Sequence, residues 1–257
     1  MNAIFNTTYY RLELRRVLRD RTSLFFTVGL PGFLYLIFGA QQDFGDEPVR
    51  EGNVAMWIMI AMAAYGAVTA TTNVGGSAAL ERMQGWTRQL GLTPLRDRDY
   101  VTVKAATAVT VGALPIAVVF AIGAVTGAKA PLHVWAISAV ALVLGAVTFA
   151  LYGLTFGLAL RSEAAVNAAG GSIVILSFLG NIFVPLTGWQ LTLAKFTPLY
   201  GYVSLARRAL TGGGTVDPGN GELIAEPLWQ SVTNVAVWMT LLATVTIFLV
   251  RRGRSRQ

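Results

Sequence analysis

Residues 54–100 read VAMWIMIAMAAYGAVTATTNVGGSAALERMQGWTRQLGLTPLRDRDY. The change of character at Glu81 decides how the chain folds. Val54–Ala79 holds no charged side chain and, as a helix, is long enough to cross about 30 Å of hydrocarbon. Glu81–Tyr100 then carries seven charged residues, a tryptophan and a proline. From Tyr100 the sequence turns apolar again as far as Thr126. A charged, structured segment between two such runs is more than a turn.

Five further runs of this kind surround it: Thr22–Ala40, Tyr100–Thr126, Leu132–Leu160, Ala164–Leu186 and Trp229–Val250. With Val54–Ala79 they predict six transmembrane helices in one all-α integral membrane domain over residues 1–257. The runs are too long for barrel strands and do not alternate. Composition agrees, since the chain is 54% hydrophobic and 13% charged, against about 25% charged in a soluble domain. The chain lacks the charges to cover itself in water. It has no cysteine, which excludes disulfides, thiolate metal sites and a cysteine nucleophile. Its one histidine, His133, gives no basis for a histidine metal cluster or a Ser-His-Asp triad. The first run follows 21 residues containing five arginines, with no clean cleavage site after it, so it is expected to be retained.

The net charge of +7 comes mostly from arginine, 17 Arg against 3 Lys. The arginines cluster at the ends of apolar runs, which points to membrane topology and not to nucleic acid. Residues 1–21, 80–104, Arg161 and the tail from Arg251 hold 15 basic residues. The remaining links hold five: Arg50, Lys129, Lys195, Arg207 and Arg208. The positive-inside rule then places both termini in the cytoplasm of a cell-membrane protein. The acidic loop Gln41–Asn53 lies outside.

Residues 1–21 are expected to form an amphipathic interfacial helix. Tyr10, Leu14, Val17 and Leu18 make one stripe, and Glu13, Arg15, Arg16, Arg19 and Asp20 fall away from it toward water and lipid phosphates. Residues 187–228 form the longest outer part. Its first half is too apolar for an ordinary loop, Pro198 can open a helix running to Leu210, and Gly212–Gly214 stop it. Within the spans the polar residues are uncharged. Asn73, Asn167, Ser172, Ser177 and Asn181 either hydrogen-bond between helices, worth under about 2 kcal/mol each, or line a pathway. Asn73, Asn167, Ser177 and Asn181 are the pathway candidates. Gly153, Gly157 and the small residues Ala164–Gly171 favour close helix packing. No Gly-Lys pair occurs, so the chain builds no Walker-type phosphate loop. No acidic pair lies within a span to carry ion coupling.

On a helical wheel of the charged segment, Leu80, Met83, Trp86 and Leu90 share a face. Glu81, Arg82, Gln84, Arg88 and Gln89 cover the rest, and Thr93-Pro94 ends the helix. Asp97 or Asp99 can cap the third span, and Lys104 can snorkel to the inner surface. The run Glu81-Arg82-x-x-Gly85-Trp86-Thr87-Arg88-Gln89-Leu90-x-Leu92-Thr93-Pro94-Leu95 resembles permease subunits of the type-2 ABC exporters. So do Phe183-Val184-Pro185-Leu186, Phe196-Thr197-Pro198-Leu199-Tyr200 and Ala206-Arg207-Arg208-Ala209-Leu210. The Gly-Trp-Thr variant is most similar to the branch that exports antibiotics and drugs.

The resemblance implies a non-catalytic half-transporter. Two permease subunits, here a homodimer, would pair with two P-loop ATPase subunits, which bind the ATP and Mg; this chain would bind no cofactor or metal. It implies a cytoplasmic coupling helix within residues 80–99, with Glu81, Arg82, Gly85, Trp86, Arg88, Thr93 and Pro94 meeting the ATPase. Glu81 and Arg82 would offer charge-assisted hydrogen bonds and Gly85 a close backbone approach. It further implies first and fifth spans at the dimer interface, a cargo path between subunits, and an outer helical hairpin carrying Pro198, Tyr200, Arg207 and Arg208 among lipid headgroups. Export of an amphipathic drug, antibiotic or lipid-like molecule is the leading expectation. A polysaccharide or lipid-linked glycan exporter would want aromatic platforms along its path. An ATP-independent channel or ion-coupled transporter lacks intramembrane carboxylates, and a membrane enzyme lacks catalytic groups.

Overall fold

The computed structural model describes residues 6–85, 89, 92, 97–160, 162–216 and 223–254. It is a helical bundle in which each long element follows from an apolar run closed by a cap, a glycine or a proline. Helix α1 (Thr7–Arg19) begins at Asn6, whose side chain accepts from the Tyr9 N–H at 2.9 Å. It ends at Asp20, which turns the chain and caps the next helix by accepting from the Ser23 N–H at 3.0 Å. Helix α2 (Arg21–Ala40) is not uniform, since wide π turns at Phe25–Gly29 and Leu36–Ala40 flank a regular stretch at Leu30–Tyr35. Pro31 explains the first: it has no N–H, and its ring displaces the Thr27 carbonyl.

Helix α3 (Val54–Met83) is the centre of the bundle. Its apolar window is 83% buried, whereas that of the last helix is 11% buried, so α3 is surrounded by protein and the last helix faces outward. Around α3 pack α4 (Asp97–Val125), α5 (Leu132–Leu160) and α6 (Glu163–Leu179). The distal part comprises α7 (Gly188–Ala194) and α8 (Pro198–Thr211), and α9 (Leu228–Arg254) closes the chain. Two short hairpins sit at the same distal end: β1 (Pro48–Val49) with β2 (Gly52–Asn53), and β3 (Gly214–Val216) with β4 (Leu223–Ala225). Among the described residues, five helices are long and apolar enough to span a membrane.

The fifth run corrects its expectation. The helix stops at Leu179, not at Leu186. Asn181 adopts φ +63°, and the Ile182 N–H returns to the Ser177 carbonyl at 3.1 Å. Asn181 accepts the Leu186 N–H at 3.0 Å and donates to Thr215 at 2.9 Å. A polar residue in a left-handed turn, followed by Pro185, ends the helix inside an apolar stretch.

Close approaches set the helix crossings. Gly75 on α3 lies against the Ala150 carbonyl on α5, and Gly153 on α5 lies against the Thr72 carbonyl on α3. The Thr72 hydroxyl donates to the Phe149 carbonyl at 3.3 Å across the same seam. Gly66 receives Pro115 of α4 and Pro31 of α2 at one crossing, where a Cβ would meet Pro115 at 2.6 Å. At the distal end, Asn53 caps α3 through the Met56 N–H at 3.0 Å, accepts from the Lys129 N–H at 2.9 Å and donates to the Gly127 carbonyl at 2.8 Å. One asparagine thus ties the loop before α3 to the loop after α4.

Candidate functional site

At the end of the bundle where α1 lies and α9 finishes, three helices bring four charges together. Glu13 and Arg16 come from α1, Glu81 from the last turn of α3, and Lys104 from the second turn of α4. Lys104 Nζ donates to Glu13 Oε1 at 2.6 Å and to Glu81 Oε1 at 2.8 Å. Arg16 donates to Glu13 Oε1 at 2.8 Å and closely to Glu81 Oε1. The Tyr100 hydroxyl donates to Glu81 Oε2 at 3.2 Å. Glu13, Glu81 and Lys104 are only 6%, 7% and 8% exposed. Two carboxylates and two cations balance, which is what makes burial tolerable.

Two expectations are corrected here. Glu13 does not face water, and Lys104 does not snorkel. Each finds its opposite charge on another helix before it reaches solvent. Packing around the cluster is aromatic and aliphatic. Tyr9 stacks on Tyr100 with ring centres 6.2 Å apart, the Tyr10 hydroxyl bonds Thr110 at 2.6 Å, and Leu14 and Val17 pack on Ala70, Val74, Ala108 and Val111. Leu18, assigned to the same stripe, is exposed. Burial, followed by the Glu13 and Glu81 carboxylates, pushes the Tyr9 phenol well above its usual range. Arg16 is partly desolvated, but the Glu81 and Glu13 charges outweigh this and raise it.

Beside the cluster lies a cavity of about 340 Å³ between α1, α2, α3 and α4. Its lining includes the charged Glu13, Arg16, Asp20 and Glu81, the neutral polar groups of Ser23, Thr27, Asn73 and Ser77, and the apolar Val17, Ala70, Val74 and Val111. No aromatic side chain lines it among the described residues. A space bordered by both charged and apolar side chains suits an amphipathic molecule.

Glu81 and Arg82 continue α3 and do not open a separate helix. The chain leaves α3 at Gln84 and Gly85, and Gly85 takes φ +76° with nothing within 4 Å of a hypothetical Cβ. Its glycine therefore serves backbone conformation; among the described residues no close approach requires it. Gly85→Ala is expected to lower stability by about 1–2 kcal/mol, the penalty for a left-handed L-residue. Faster amide exchange confined to the end of α3 would register it. Trp86, Arg88, Thr93 and Pro94 lie outside the described residues.

The ABC-2 type transporter family profile matches residues 7–210, which takes in the cluster, the cavity and α8. The chain belongs to the ABC-2 type transporter family. It is also similar to "Putative transport permease YvfS" of Bacillus subtilis (strain 168), 24% identical over 250 residues, covering 95% of this chain and 96% of that one. The chain is thus an ABC-2 permease subunit and a multi-pass membrane protein. Membership implies association with an ATPase subunit in a transporter complex, and permease subunits of this family are generally non-catalytic.

The permease disperses the four pathway candidates. Asn73 lines the cavity. Ser177 is fully buried and donates back to the Ile173 carbonyl at 2.6 Å. Asn181 is the helix-terminating residue described above. Asn167 is exposed on α6. Distal residues Pro198, Tyr200 and Arg207 are buried in the bundle, and Arg208 is half-buried. The Arg208 Nη1 donates to the Glu226 carbonyl at 3.2 Å. Arg207 was placed among headgroups by the resemblance; its guanidinium instead packs inside the protein, 3.4 Å from the centre of the Trp57 ring. Sequence reasoning missed Glu13, Arg16 and Lys104 as site residues, and the acid at i−3 to Arg16 within an arginine-rich segment was the signal available.

Proposed function

We propose that this permease moves an amphipathic drug, antibiotic or lipid-like molecule out across the cytoplasmic membrane, driven by ATP that a separate subunit hydrolyses. Both termini are cytoplasmic in this reading, a second copy completes a homodimer, and two P-loop ATPase subunits bind ATP and Mg and dock on residues 80–95. α1 lies at the inner membrane surface, and α7 with α8 form the outer hairpin. The outward apolar side chains of α2 (Phe25, Phe33, Phe38) and α6 (Ile175, Phe178) support a pairing face on the first and fifth spans.

The observation that carries the reading is the four-charge cluster. The end of α3, which leads directly into the docking segment, is bonded through Lys104 and Arg16 to both α1 and α4. A pull on the segment therefore moves three cavity-lining helices together. Binding of ATP that draws the ATPase subunits together biases the permease between inward- and outward-facing states. Glu81 acts within the chain in this mechanism. Arg82, Gly85, Trp86, Arg88, Thr93 and Pro94 are assigned to the ATPase contact. The mixed charged and apolar, non-aromatic lining favours an amphipath over a glycan.

The test is co-expression with a candidate P-loop ATPase subunit, followed by ATP turnover in liposomes across a panel of compounds. Amphipathic compounds are expected to stimulate turnover. Arg88→Glu is expected to abolish ATPase co-purification while the chain still inserts, and Asn73→Trp to abolish stimulation while the ATPase still co-purifies. Turnover indifferent to every amphipath, with co-purification unaffected by Arg88→Glu, rejects the reading.

A further inference from the structure

The distal end holds a second buried polar group that the cluster and cavity do not explain. Arg207 on α8 is 4% exposed. Its Nη1 donates to the Asn181 carbonyl at 2.7 Å and its Nε to the Trp57 carbonyl at 3.4 Å, but Nη2 has no protein partner. Glu226, just ahead of α9, is also 4% exposed. Its Oε2 accepts the Ser204 hydroxyl at 3.0 Å, while Oε1 has no protein partner. The Tyr200 hydroxyl, in a residue 3% exposed, is unpartnered as well.

All three residues line one small chamber with Asn181, Ser204 and Thr215. Its free volume is about 10 Å³, room for about one water molecule. A donor, an acceptor and a hydroxyl, each buried and each lacking a bond, border a space of solvent size. Burial of such groups is strongly unfavourable unless something completes them. The opposing charges select the occupant, because an anion would meet Glu226 and a cation would meet Arg207. A neutral molecule that both donates and accepts suits both.

We propose that this chamber is a water-binding site, whose solvent completes Arg207 Nη2, Glu226 Oε1 and the Tyr200 hydroxyl and so latches α8 to the spans. The backbone prepares the geometry. The Glu226 N–H donates to the Gly213 carbonyl at 2.7 Å and Arg208 donates to the Glu226 carbonyl, so the stretch ahead of α9 is held against the end of α8. Arg207 reaches the other way, to α3 through Trp57 and to the end of α6 through Asn181. The latch thus joins α3, α6, α8 and the approach to α9, and α8 cannot move off the bundle without opening it. It does not depend on what the permease carries, and its test needs neither cargo nor ATPase.

The experiment uses the full chain in lipid nanodiscs, with amide hydrogen exchange read over residues 198–216. Arg207→Gln and Glu226→Gln are each expected to speed exchange about tenfold, as loss of one buried charge-assisted bond would. The double variant should exchange no faster than the faster single one. Single effects that multiply, or Glu226→Gln exchanging like the unaltered chain, overturn the latch. If Arg207→Gln does not fold, Tyr200→Phe with Glu226→Gln forms the same cycle and is read the same way. A map at water-resolving resolution should show solvent bonded to Arg207 Nη2 and Glu226 Oε1. A dry chamber, or a direct Arg207–Glu226 contact, overturns the water site.

Discussion

Lys104→Met is expected to destabilise the permease by about 3–5 kcal/mol, the range for breaking a buried pair by removing one partner. The change preserves the length and apolar stem of the side chain. It removes the cation between Glu13 and Glu81 and leaves Arg16, whose side chain is half exposed, to hold two carboxylates alone. Charge balance predicts the rescue. Lys104→Met combined with Glu13→Gln restores neutrality and is expected to recover much of the loss, whereas Lys104→Met combined with Arg16→Met deepens it. Thermal unfolding of the full chain in detergent, with the folded fraction checked by size exclusion, would measure all three. A single variant within about 1 kcal/mol of the unaltered protein, in the range of an exposed pair, would show that the cluster contributes little and would remove it as the link between helices.

Gly153→Leu is expected to prevent α3 and α5 from meeting. The atom a side chain would meet at Gly153 is the Thr72 carbonyl, part of the backbone. Flexible side chains can yield, but a helical carbonyl moves only with its helix. The loss should therefore exceed the about 1–3 kcal/mol of ordinary overpacking and appear as failure to accumulate folded protein in the membrane. Gly75→Leu, which meets the Ala150 carbonyl from the other side, should behave alike. Gly171→Ala is the control. It is exposed on α6 with nothing within 4 Å of a hypothetical Cβ, so the gain in helix propensity should leave the fold intact or slightly stabilised. Equal tolerance of Gly153→Leu and Gly171→Ala would reject the seam.

Much of the fold was legible because apolar runs report their solvent one residue at a time. The spans from Val54, Leu132 and Leu228 lie close to where hydropathy puts them. The fifth run shows where that logic fails. Ala164–Leu186 averages as one apolar segment, and an average does not register that Asn181 turns the chain. The π turns of α2 were equally hidden, since Pro31 marks a disturbance but not how neighbouring turns absorb it. The charge cluster escaped for a different reason. Periodicity compares a residue only with its own helix, so it set Glu13 on the polar face of α1 and left the charge on the opposite helix out of view.

By itself the sequence determined that this chain is helical, lies in a membrane, concentrates its basic residues in alternate links between apolar runs and has a charged segment after the second span. Those properties sum over neighbouring residues, and transfer free energies nearly add. Only the tertiary structure decided that Lys104 meets Glu13, 91 positions away, that Asn73 borders a cavity while Asn181 ends a helix, and that Arg207 turns inward. Each of those outcomes depends on a distance between segments far apart in the chain. A hydrogen bond needs its donor and acceptor within a few ångströms, and an ion pair weakens as its charges separate; only packing sets such distances.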